Sequence, residues 1–319
     1  MPVPHGDEIR IRITHCGICR TDLHIAEGDL ELQTHPIILG HEVVGFVNAV
    51  GEKSTAFSIG ERVGAYWLHD SCRECSHCRN GQENYCPQFQ ATGWHAQGGF
   101  AEYMTLPEES ALSLEHLNMR NAEITPLLCP GIAGYAAFAL TDLHAGQRLG
   151  LFGYGPTAYY VLKVAQSLGI QVFVSTRTSK NQHRARQEDA AWVGDSQQEP
   201  LPNSLHAAIL FPPAGNLVEP ILSHLEPGGS LVMAPVHSSP ISIKDYSLNL
   251  WGRTIKTLYH LTRRDARKFI QLAPGLNLNL GIQTVAFDEL SEAMLQIKYG
   301  ATNQPNTVLE IQREDALNG

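Results

Sequence analysis

The sequence contains no apolar run of about 18 residues or more, so no transmembrane helix is predicted. Residues 1–7 are polar and carry two prolines, and they lack the basic start and apolar core of a secretory signal. Internal repeats and low-complexity tracts are also lacking. We therefore expect no membrane partner and a cytoplasmic location.

Positive charge is also scarce. Charged residues make up 17% of the chain, and the formal net charge is −9. Such a chain lacks the basic surface that attracts nucleic acid or an anionic membrane, so neither is expected as a partner. Its 319 residues are 43% hydrophobic, which excludes a disordered chain and predicts about two domains. A small molecule is the expected partner.

Cysteine is present in an odd number, seven, which is unlike a secreted disulfide framework. Four cysteines follow the pattern C-x2-C-x2-C-x7-C at Cys72, Cys75, Cys78 and Cys86. Four thiolates close the tetrahedral shell of a zinc ion and leave no open position. We predict a structural zinc site here. The alternative, four free thiols, is disfavoured because paired C-x2-C spacings are a zinc signature.

The hydrophobic pattern changes along the chain. The first hundred residues predict short strands and turns, such as the strictly alternating Glu8–Ile13. After about residue 125, strands and helices alternate, which predicts a parallel, doubly wound sheet. The predicted strands are 148–152, 171–176, 206–211, 230–234, 254–258 and 307–311, and the predicted helices are 156–168, 179–189 and 290–299. The fold class is α/β, with a β-rich domain beside a parallel-sheet domain.

A glycine-rich loop joins the first strand of this alternating region to its helix. Gly153, Gly155 and Ala158 form G-x-G-x-x-A in the context that a dinucleotide site requires. The first glycine permits the turn, the second admits the pyrophosphate, and the alanine allows close helix packing. The phosphate oxygens are expected at the helix N-terminus.

The end of the next strand discriminates between the two nicotinamide cofactors. Thr176 and Arg177 stand where a carboxylate would bind the ribose of NAD, and no carboxylate is present. An arginine suits a 2′-phosphate, so we predict that NADP(H) is preferred, with NAD(H) as the alternative. The competing interpretation is that Arg177 is a solvated surface charge.

Three further segments carry metal-ligating residues: CGICRTDLH at 16–24, GHE at 40–42 and LLCPG at 127–131. With the four-cysteine lobe and the glycine loop, they resemble the zinc-dependent medium-chain alcohol dehydrogenases of the medium-chain dehydrogenase/reductase superfamily. The resemblance covers nearly the whole chain. It implies a GroES-like catalytic domain at 1–130, a Rossmann domain at 131–260 and a return segment at 261–319.

The same resemblance implies a catalytic zinc bound by Cys19, His41 and Cys129, which makes two zinc ions per chain. Two thiolates and one imidazole leave a fourth position for water or substrate. Cys16 is then a buried cysteine that binds no metal.

Neighbouring residues take roles from the resemblance as well. Thr21 is implied to bond the substrate oxygen, and His24 to pass the released proton to solvent. Asp22 would orient His41, Glu42 would lie behind the metal, and Arg20 would face the cofactor pyrophosphate. For Asp22 and Glu42, structural hydrogen bonding is an equal alternative.

These features predict an NAD(P)-dependent alcohol dehydrogenase or aldehyde reductase for primary or aromatic alcohols. Trp67 and Trp94 are predicted pocket walls, with core packing as the alternative. A polyol or sugar dehydrogenase and a catalytically silent zinc protein are the competing hypotheses. The resemblance implies a homodimer or homotetramer.

The chain departs from the family pattern in places. Val3 already matches the stretch after the initial strand of the family, whose members usually carry about twenty more residues. The two interpretations are a reading frame that starts too far downstream and a trimmed protein, and for a trimmed protein we expect an exposed sheet edge and lower stability. Tyr159, Tyr160 and Pro235 replace other residues near the cofactor, and 303–305 lacks an arginine expected there. These changes concern cofactor affinity more than reaction type.

Overall fold

A computed structural model describes residues 1–312 of the chain. It divides into two compact units. The first comprises Met1–Ile132, His260–Gly275 and the chain from Asn279, and the second comprises Ala133–Tyr259 with Leu276–Leu278. We keep the predicted domain limits, after residues 130 and 260, as a proposal beside this division. Residues 313–319 of the predicted return segment lie outside the described part of the chain.

The strands of the described residues are β1 (Glu8–Ile18), β2 (Val43–Val50), β3 (Arg62–Ala65), β4 (Leu68–Asp70), β5 (Gln90–Ala91), β6 (Tyr103–Pro107), β7 (Leu112–Ser113), β8 (Arg148–Phe152), β9 (Gln171–Ser175), β10 (Trp192–Gly194), β11 (Leu205–Leu210), β12 (Leu225–Met233), β13 (Thr254–Thr257), β14 (Ile282–Ala286) and β15 (Asn306–Glu310). The helices are α1 (Arg20–Ala26), α2 (Ser76–Arg79), α3 (Asn121–Ile124), α4 (Pro130–Ala139), α5 (Pro156–Ser167), α6 (Ser179–Gln187), α7 (Val218–Ser223), α8 (Arg263–Leu272) and α9 (Leu290–Lys298).

The first unit is built on a largely antiparallel sheet with the order β14-β15-β1-β2-β3-β7, and β6 also pairs with β1. The alternation predicted for Glu8–Ile13 is present, because Ile9, Ile11 and Ile13 are fully buried. The strand then continues to Ile18 with both faces covered, since every residue from Ile13 to Ile18 is buried. This extension ends at Cys19 and places that thiol at the end of a rigid strand.

The second unit contains a six-stranded parallel sheet with the order β10-β9-β8-β11-β12-β13. This is the doubly wound order of a dinucleotide-binding fold, so the predicted fold class is confirmed. The chain leaves β8 towards β9 and later returns to β11 on its other side, which makes the carboxyl ends of β8 and β11 the topological switch point. Helix α5 begins at Pro156, and Gly169 follows its end with φ +72°.

Helix α8 was not among the predicted elements. Thr262 caps it by accepting a hydrogen bond from the Asp265 amide at 3.1 Å, and Ala266, Phe269 and Ile270 form its buried face. Basic residues separate these apolar positions in the sequence, so the helical spacing of the apolar residues was too short to be recognised as an amphipathic helix. Within residues 1–312, every helix is too short or too polar to span a bilayer.

Candidate metal centres and nucleotide loop

The four cysteines of the lobe converge. Their sulfur atoms all lie within 4.8 Å of one another. Cys72 Sγ is 3.9 Å from Cys78 Sγ and 3.5 Å from Cys86 Sγ. Four sulfurs bound at about 2.3 Å to one tetrahedral ion lie about 3.8 Å apart, so the spacing fits zinc.

The backbone around the lobe also favours thiolates. The amide of Cys75 points at Cys72 Sγ from 3.3 Å, and that of Cys78 points at Cys75 Sγ from 3.5 Å. Cys86 Sγ accepts from the amides of Cys72 and Gln88. These donors stabilise negative sulfur, because N–H groups directed at an anion form charge-assisted hydrogen bonds. The lobe is therefore shaped for a metal ion and has no open coordination position.

The lobe is attached to α8 by one arginine. The Arg263 amide donates to Glu83 Oε1 at 2.5 Å, and its guanidinium donates to Ser71 Oγ at 3.1 Å. Glu83 is 4% exposed and lies between Cys78 and Cys86 in the chain. These polar contacts thus fix the position of the start of α8 relative to the lobe.

A second cluster brings together Cys19, His41, Glu42 and Cys129, whose ligand atoms all lie within 4.8 Å. Cys19 follows β1, His41 precedes β2, and Cys129 precedes α4. The two sulfurs are 3.8 Å apart. His41 is 1% exposed, and neither ring nitrogen has a hydrogen-bond partner among the described residues. A buried imidazole nitrogen such as Nε2, with no hydrogen-bond partner among the described residues, is costly unless a ligand occupies it, so this set also fits a zinc ion.

Asp22 contacts this cluster from a fully buried position. Its carboxylate accepts from the amides of Cys19 at 2.8 Å and Gly40 at 3.0 Å. Asp22 Oδ1 also lies 3.3 Å from His41 Nδ1. A carboxylate on one ring nitrogen favours the tautomer whose other nitrogen, Nε2, binds a metal.

The electrostatics of the cluster are those of a cation site. Burial opposes protonation of His41, but the charges of Asp22 and Cys19 outweigh it and raise its pKa. A hydrogen bond from the Cys129 thiol, assisted by His41, lowers the pKa of Cys19 despite burial, and the same bond raises the pKa of Cys129. Cys19 is therefore the thiol of the pair that loses its proton first.

Glu42 lies behind the thiolates and is 5% exposed. Burial first, and then the charge of Cys19, raises the pKa of this carboxyl group. Gly17 packs directly against the Glu42 carboxylate, and a side chain at position 17 would displace it. Glu42 thus offers an oxygen as a fourth ligand atom, beside the three residues that the sequence nominated.

The remaining predicted residues of the first unit lie on or near α1. Thr21 Oγ1 is 3.7 Å from Cys19 Sγ, and His24 Nδ1 is 2.8 Å from the Asp29 carboxylate. Arg20 donates to the Ile297 carbonyl at 3.1 Å, a contact that sequence reasoning did not anticipate. Cys16 is fully buried outside both clusters, and burial raises the pKa of its thiol.

An aromatic wall stands beside His41. The Trp67 ring meets the His41 ring edge-on with centroids 5.1 Å apart, and Trp94 stacks on Trp67 at 5.9 Å. His260 also stacks on Trp67, at 6.2 Å. Sequence reasoning missed His260, because it lies far along the chain and belongs to no motif.

The glycine loop has the predicted geometry. Gly153 has φ +89°, and a Cβ there would approach Pro212 Cδ to 2.8 Å at the switch point. Gly155 precedes α5 and has open space where a side chain would stand, while Ala158 is fully buried. This backbone can therefore admit a phosphate group at the helix N-terminus.

The end of β9 is polar and carries no carboxylate. Thr176 is buried, and its carbonyl accepts from Gln182 Nε2 at 2.9 Å. Arg177 follows with an exposed side chain. Ser175 Oγ, beside them, is hydrogen-bonded to Ser196 Oγ at 2.8 Å.

The chain is similar to known alcohol dehydrogenases in sequence. A family model described as "Alcohol dehydrogenase GroES-like domain" matches residues 5–116. The protein named "Probable alcohol dehydrogenase AdhA" of Mycobacterium tuberculosis (strain CDC 1551 / Oshkosh) is 42% identical over 279 residues, which are 86% of this chain and 80% of that protein.

Solved structures agree in fold. A cinnamyl alcohol dehydrogenase of Sorghum bicolor (SbCAD4) superposes with a TM-score of 0.86 at 26% identity, covering 97% of this chain and 91% of that one. The CAD of Helicobacter pylori complexed with NADP(H) gives a TM-score of 0.86 at 21% identity, with the same coverage of 97% and 91%.

Proposed function

This chain belongs to the medium-chain alcohol dehydrogenase family, and on that premise we propose that it interconverts primary or aromatic alcohols and their aldehydes with NADP(H). Family membership makes it an oxidoreductase that acts on alcohols or aldehydes. In the forward direction, alcohol and NADP⁺ give aldehyde, NADPH and a proton. One observation carries the proposal: the ligand atoms of Cys19, His41 and Cys129 converge within 4.8 Å. Two thiolates and one imidazole are a donor set with which a zinc ion keeps a fourth position for substrate.

We assign two zinc ions to each chain, one to this set and one to the four-cysteine lobe. A zinc ion held by Cys19, His41 and Cys129 supplies a Lewis acid that polarises the substrate oxygen. Asp22 keeps His41 in the ligating tautomer through its contact with Nδ1. Glu42, with a carboxylate oxygen in the same cluster, is the residue that would offer a fourth ligand atom to such an ion.

The proton path runs along α1. Thr21 Oγ1, next to Cys19, accepts the proton of the substrate hydroxyl and hands its own proton outwards. His24 lies one helical turn further on, and its side chain is 20% exposed to solvent. The Asp29 carboxylate accepts a hydrogen bond from His24 Nδ1 at 2.8 Å and so fixes the ring.

The nucleotide lies on the second unit in this proposal. Gly153, Gly155 and Ala158 admit the pyrophosphate at the N-terminus of α5. Thr176 and the exposed Arg177 bind the 2′-phosphate, since the strand end offers a guanidinium and no carboxylate. Arg20, which donates to the Ile297 carbonyl, is the further residue that we propose to face the pyrophosphate.

The proposed function is tested with one panel of alcohol and aldehyde substrates. Purified protein is analysed for zinc and assayed with benzyl alcohol, benzaldehyde, ethanol and a sugar alcohol, each with both cofactors. We expect two zinc ions per chain and turnover of benzyl alcohol and benzaldehyde. Two zinc ions without turnover of any alcohol or aldehyde would support a catalytically silent zinc protein instead.

Cofactor preference is tested by Arg177→Gln. Losing a charge-assisted contact to phosphate should raise the KM for NADPH about tenfold and leave the KM for NADH unchanged. Arg186→Gln is the matched control, because Arg186 is an exposed arginine on α6 that donates to the Val193 carbonyl. A clear preference of the parent protein for NADH contradicts this part of the proposal.

We also propose a homodimer through the edge strand β13. Beside this strand, Tyr246, Leu248 and Trp251 are 62%, 70% and 70% exposed, an apolar surface with a row of edge hydrogen-bonding groups next to it. Sedimentation of Leu248→Asp should give a smaller species than the parent protein. A parent protein that sediments as a monomer at micromolar concentration excludes this assembly.

A further inference from the structure

A hydrogen bond between two aromatic side chains holds the wall beside the proposed catalytic cluster. Trp67 Nε1 donates to His260 Nδ1 at 3.0 Å across 193 positions of sequence. The same indole meets the His41 ring edge-on at 5.1 Å. The orientation of Trp67 beside a metal-ligating residue therefore depends on an acceptor far along the chain.

His260 is itself held firmly. Its ring stacks on Phe89 with centroids 4.2 Å apart and planes 15° from parallel. Phe89 lies three positions after Cys86, so the stack connects His260 to the four-cysteine lobe. His260 also has φ +52°, a backbone conformation that residues with a side chain rarely adopt unless their surroundings enforce it. The ring of His260 is thus fixed before any substrate arrives.

The hydrogen bond determines the protonation of this histidine. An indole N–H can only donate, so His260 Nδ1 must carry a lone pair and the ring proton must lie on Nε2. Burial, and then the neighbouring His95, lowers the pKa of His260 to about 4, so the ring is neutral at pH 7. The bond to Trp67 is consequently formed under ordinary conditions.

The neighbouring tryptophan provides an internal contrast. Trp94 Nε1 donates to the Glu31 carbonyl at 2.9 Å. A backbone acceptor is present whatever side chain stands there, whereas the acceptor for Trp67 exists only if residue 260 supplies it. Residue 260 can therefore tune the orientation of Trp67 without removing the hydrogen bond of Trp94 or any proposed metal ligand.

We propose that His260 is a positioning residue for substrate selection, because it holds the Trp67 indole as a flat surface beside the catalytic cluster. Planar aromatic alcohols and aldehydes, which can stack on that surface, then bind about fivefold better than saturated rings of the same size. The inference rests on the proposed function, since the cluster must hold the substrate oxygen for the ring to reach the indole.

The kinetic test compares benzaldehyde with cyclohexanecarboxaldehyde, which has the same carbon skeleton without a planar ring. His260→Phe keeps a ring to stack on Phe89 but removes the acceptor. We expect the KM for benzaldehyde to rise about fivefold, with kcat within about twofold and the KM for cyclohexanecarboxaldehyde unchanged. His260→Asn tolerates the backbone conformation and keeps an acceptor atom, so it should recover part of the preference.

A second measurement follows the indole directly. In protein labelled with ¹⁵N-tryptophan, His260→Phe should move the Trp67 Nε1 signal, which loses its acceptor, more than the Trp94 Nε1 signal, which keeps the Glu31 carbonyl. Titration with benzamide and cyclohexanecarboxamide, which are not turned over, then reports binding without catalysis. In Trp67→Phe, adding His260→Phe should cause no further loss of the aromatic preference, because the two side chains act through one contact.

The outcomes separate this inference from its premise. If His260→Phe moves the Trp67 signal but leaves the preference for the planar ring unchanged in both KM and amide binding, the inference is wrong. If the parent protein turns over no aldehyde, but His260→Phe still weakens benzamide binding selectively, the proposed function fails and the positioning role of His260 stands.

Discussion

The two cysteine clusters of the first unit are built in opposite ways. The lobe takes all four ligands from the 15 residues between Cys72 and Cys86, and backbone amides of the same segment point at its sulfurs. The second cluster takes Cys19, His41 and Cys129 from the end of a strand, the start of another and the approach to a helix. Its environment is made by carboxylates rather than by amides.

The difference indicates what each cluster can do. Four thiolates fixed by local backbone leave no position for another ligand, so a metal there can only hold the chain together. Three residues on separate elements, with buried carboxyl groups behind them and an aromatic wall beside them, form a centre that can accept a substrate. Two of the buried histidines, His69 and His41, follow the same division. The pKa of His69, next to the lobe, is lowered by burial, whereas that of His41 is raised by Asp22.

The sharpest test of this contrast removes one proposed ligand of the cluster formed by Cys19, His41 and Cys129, which we call the open cluster. Cys129→Ala should lose one zinc ion per chain and reduce kcat/KM for benzyl alcohol by about a thousandfold, because the Lewis acid is lost. Stability to urea should change little. Cys16→Ala is the matched control, since Cys16 is a buried cysteine of the same unit that lies outside both clusters. Equal loss in the two variants would remove Cys129 from the catalytic set.

Removing a ligand of the lobe should act on stability instead. Cys78→Ala should also lose one zinc ion, and the free energy of unfolding should fall by about 4 kcal/mol because metal binding there is folding energy. Turnover per folded molecule should stay near that of the parent. His77→Ala, at an exposed position in the same helix, should change neither. A lobe variant with full stability but no turnover would contradict the division of labour.

Acid should weaken the region next to the lobe through His69. Burial lowers the pKa of His69 from 6.5 to about 4, so between these values the unfolded chain binds more protons than the folded one. The free energy of unfolding is therefore highest, as far as His69 is concerned, above pH 6.5, and it decreases by about 3 kcal/mol as the pH falls to 4. His69→Gln should flatten this slope in urea titrations at fixed zinc concentration. A slope identical to that of His77→Gln would exclude His69 as the cause.

The smallest expected effect concerns the residue that orients the open cluster. Asp22→Asn keeps the size of the side chain but removes the charge beside His41, so zinc affinity at that cluster should fall about 10-fold to 100-fold. Competition with a chelator measures this affinity while the lobe zinc serves as an internal reference. Asp288→Asn, at an exposed position, is the control. Unaltered affinity would leave Asp22 with a structural role alone.

The parallel-sheet unit was the easiest part to predict. The predicted strand at 148–152 coincides with β8, and the helix predicted at 156–168 ends one residue earlier than expected, because proline and glycine mark both ends. Prediction was poorer where side chains do not repeat regularly. Strand β12 begins at Leu225 rather than at Ser230, since its first residues include Pro227, Gly228 and Gly229, which are typical of a turn.

Some residues of the candidate site could be predicted from the sequence, whereas others could not. Closely spaced residues such as the four lobe cysteines and the glycine loop carry their own geometry, so the sequence could nominate them from spacing alone. Trp67 and His260 could not be paired in this way, because their contact depends on a turn with positive φ and on a stack with Phe89. Nor could the sequence reveal that Arg20 donates to the Ile297 carbonyl.

The sequence alone determined the ligand chemistry, namely which thiols, imidazole and glycines are available and in what local spacing, because short-range geometry follows from backbone connectivity. Tertiary structure decided which distant groups share one buried point: the carboxylates of Asp22 and Glu42 beside Cys19 and Cys129, and the neutral His260 that orients Trp67. The physical reason is that burial and long-range packing set the charge state and orientation of a side chain, and neither is encoded in its immediate neighbours.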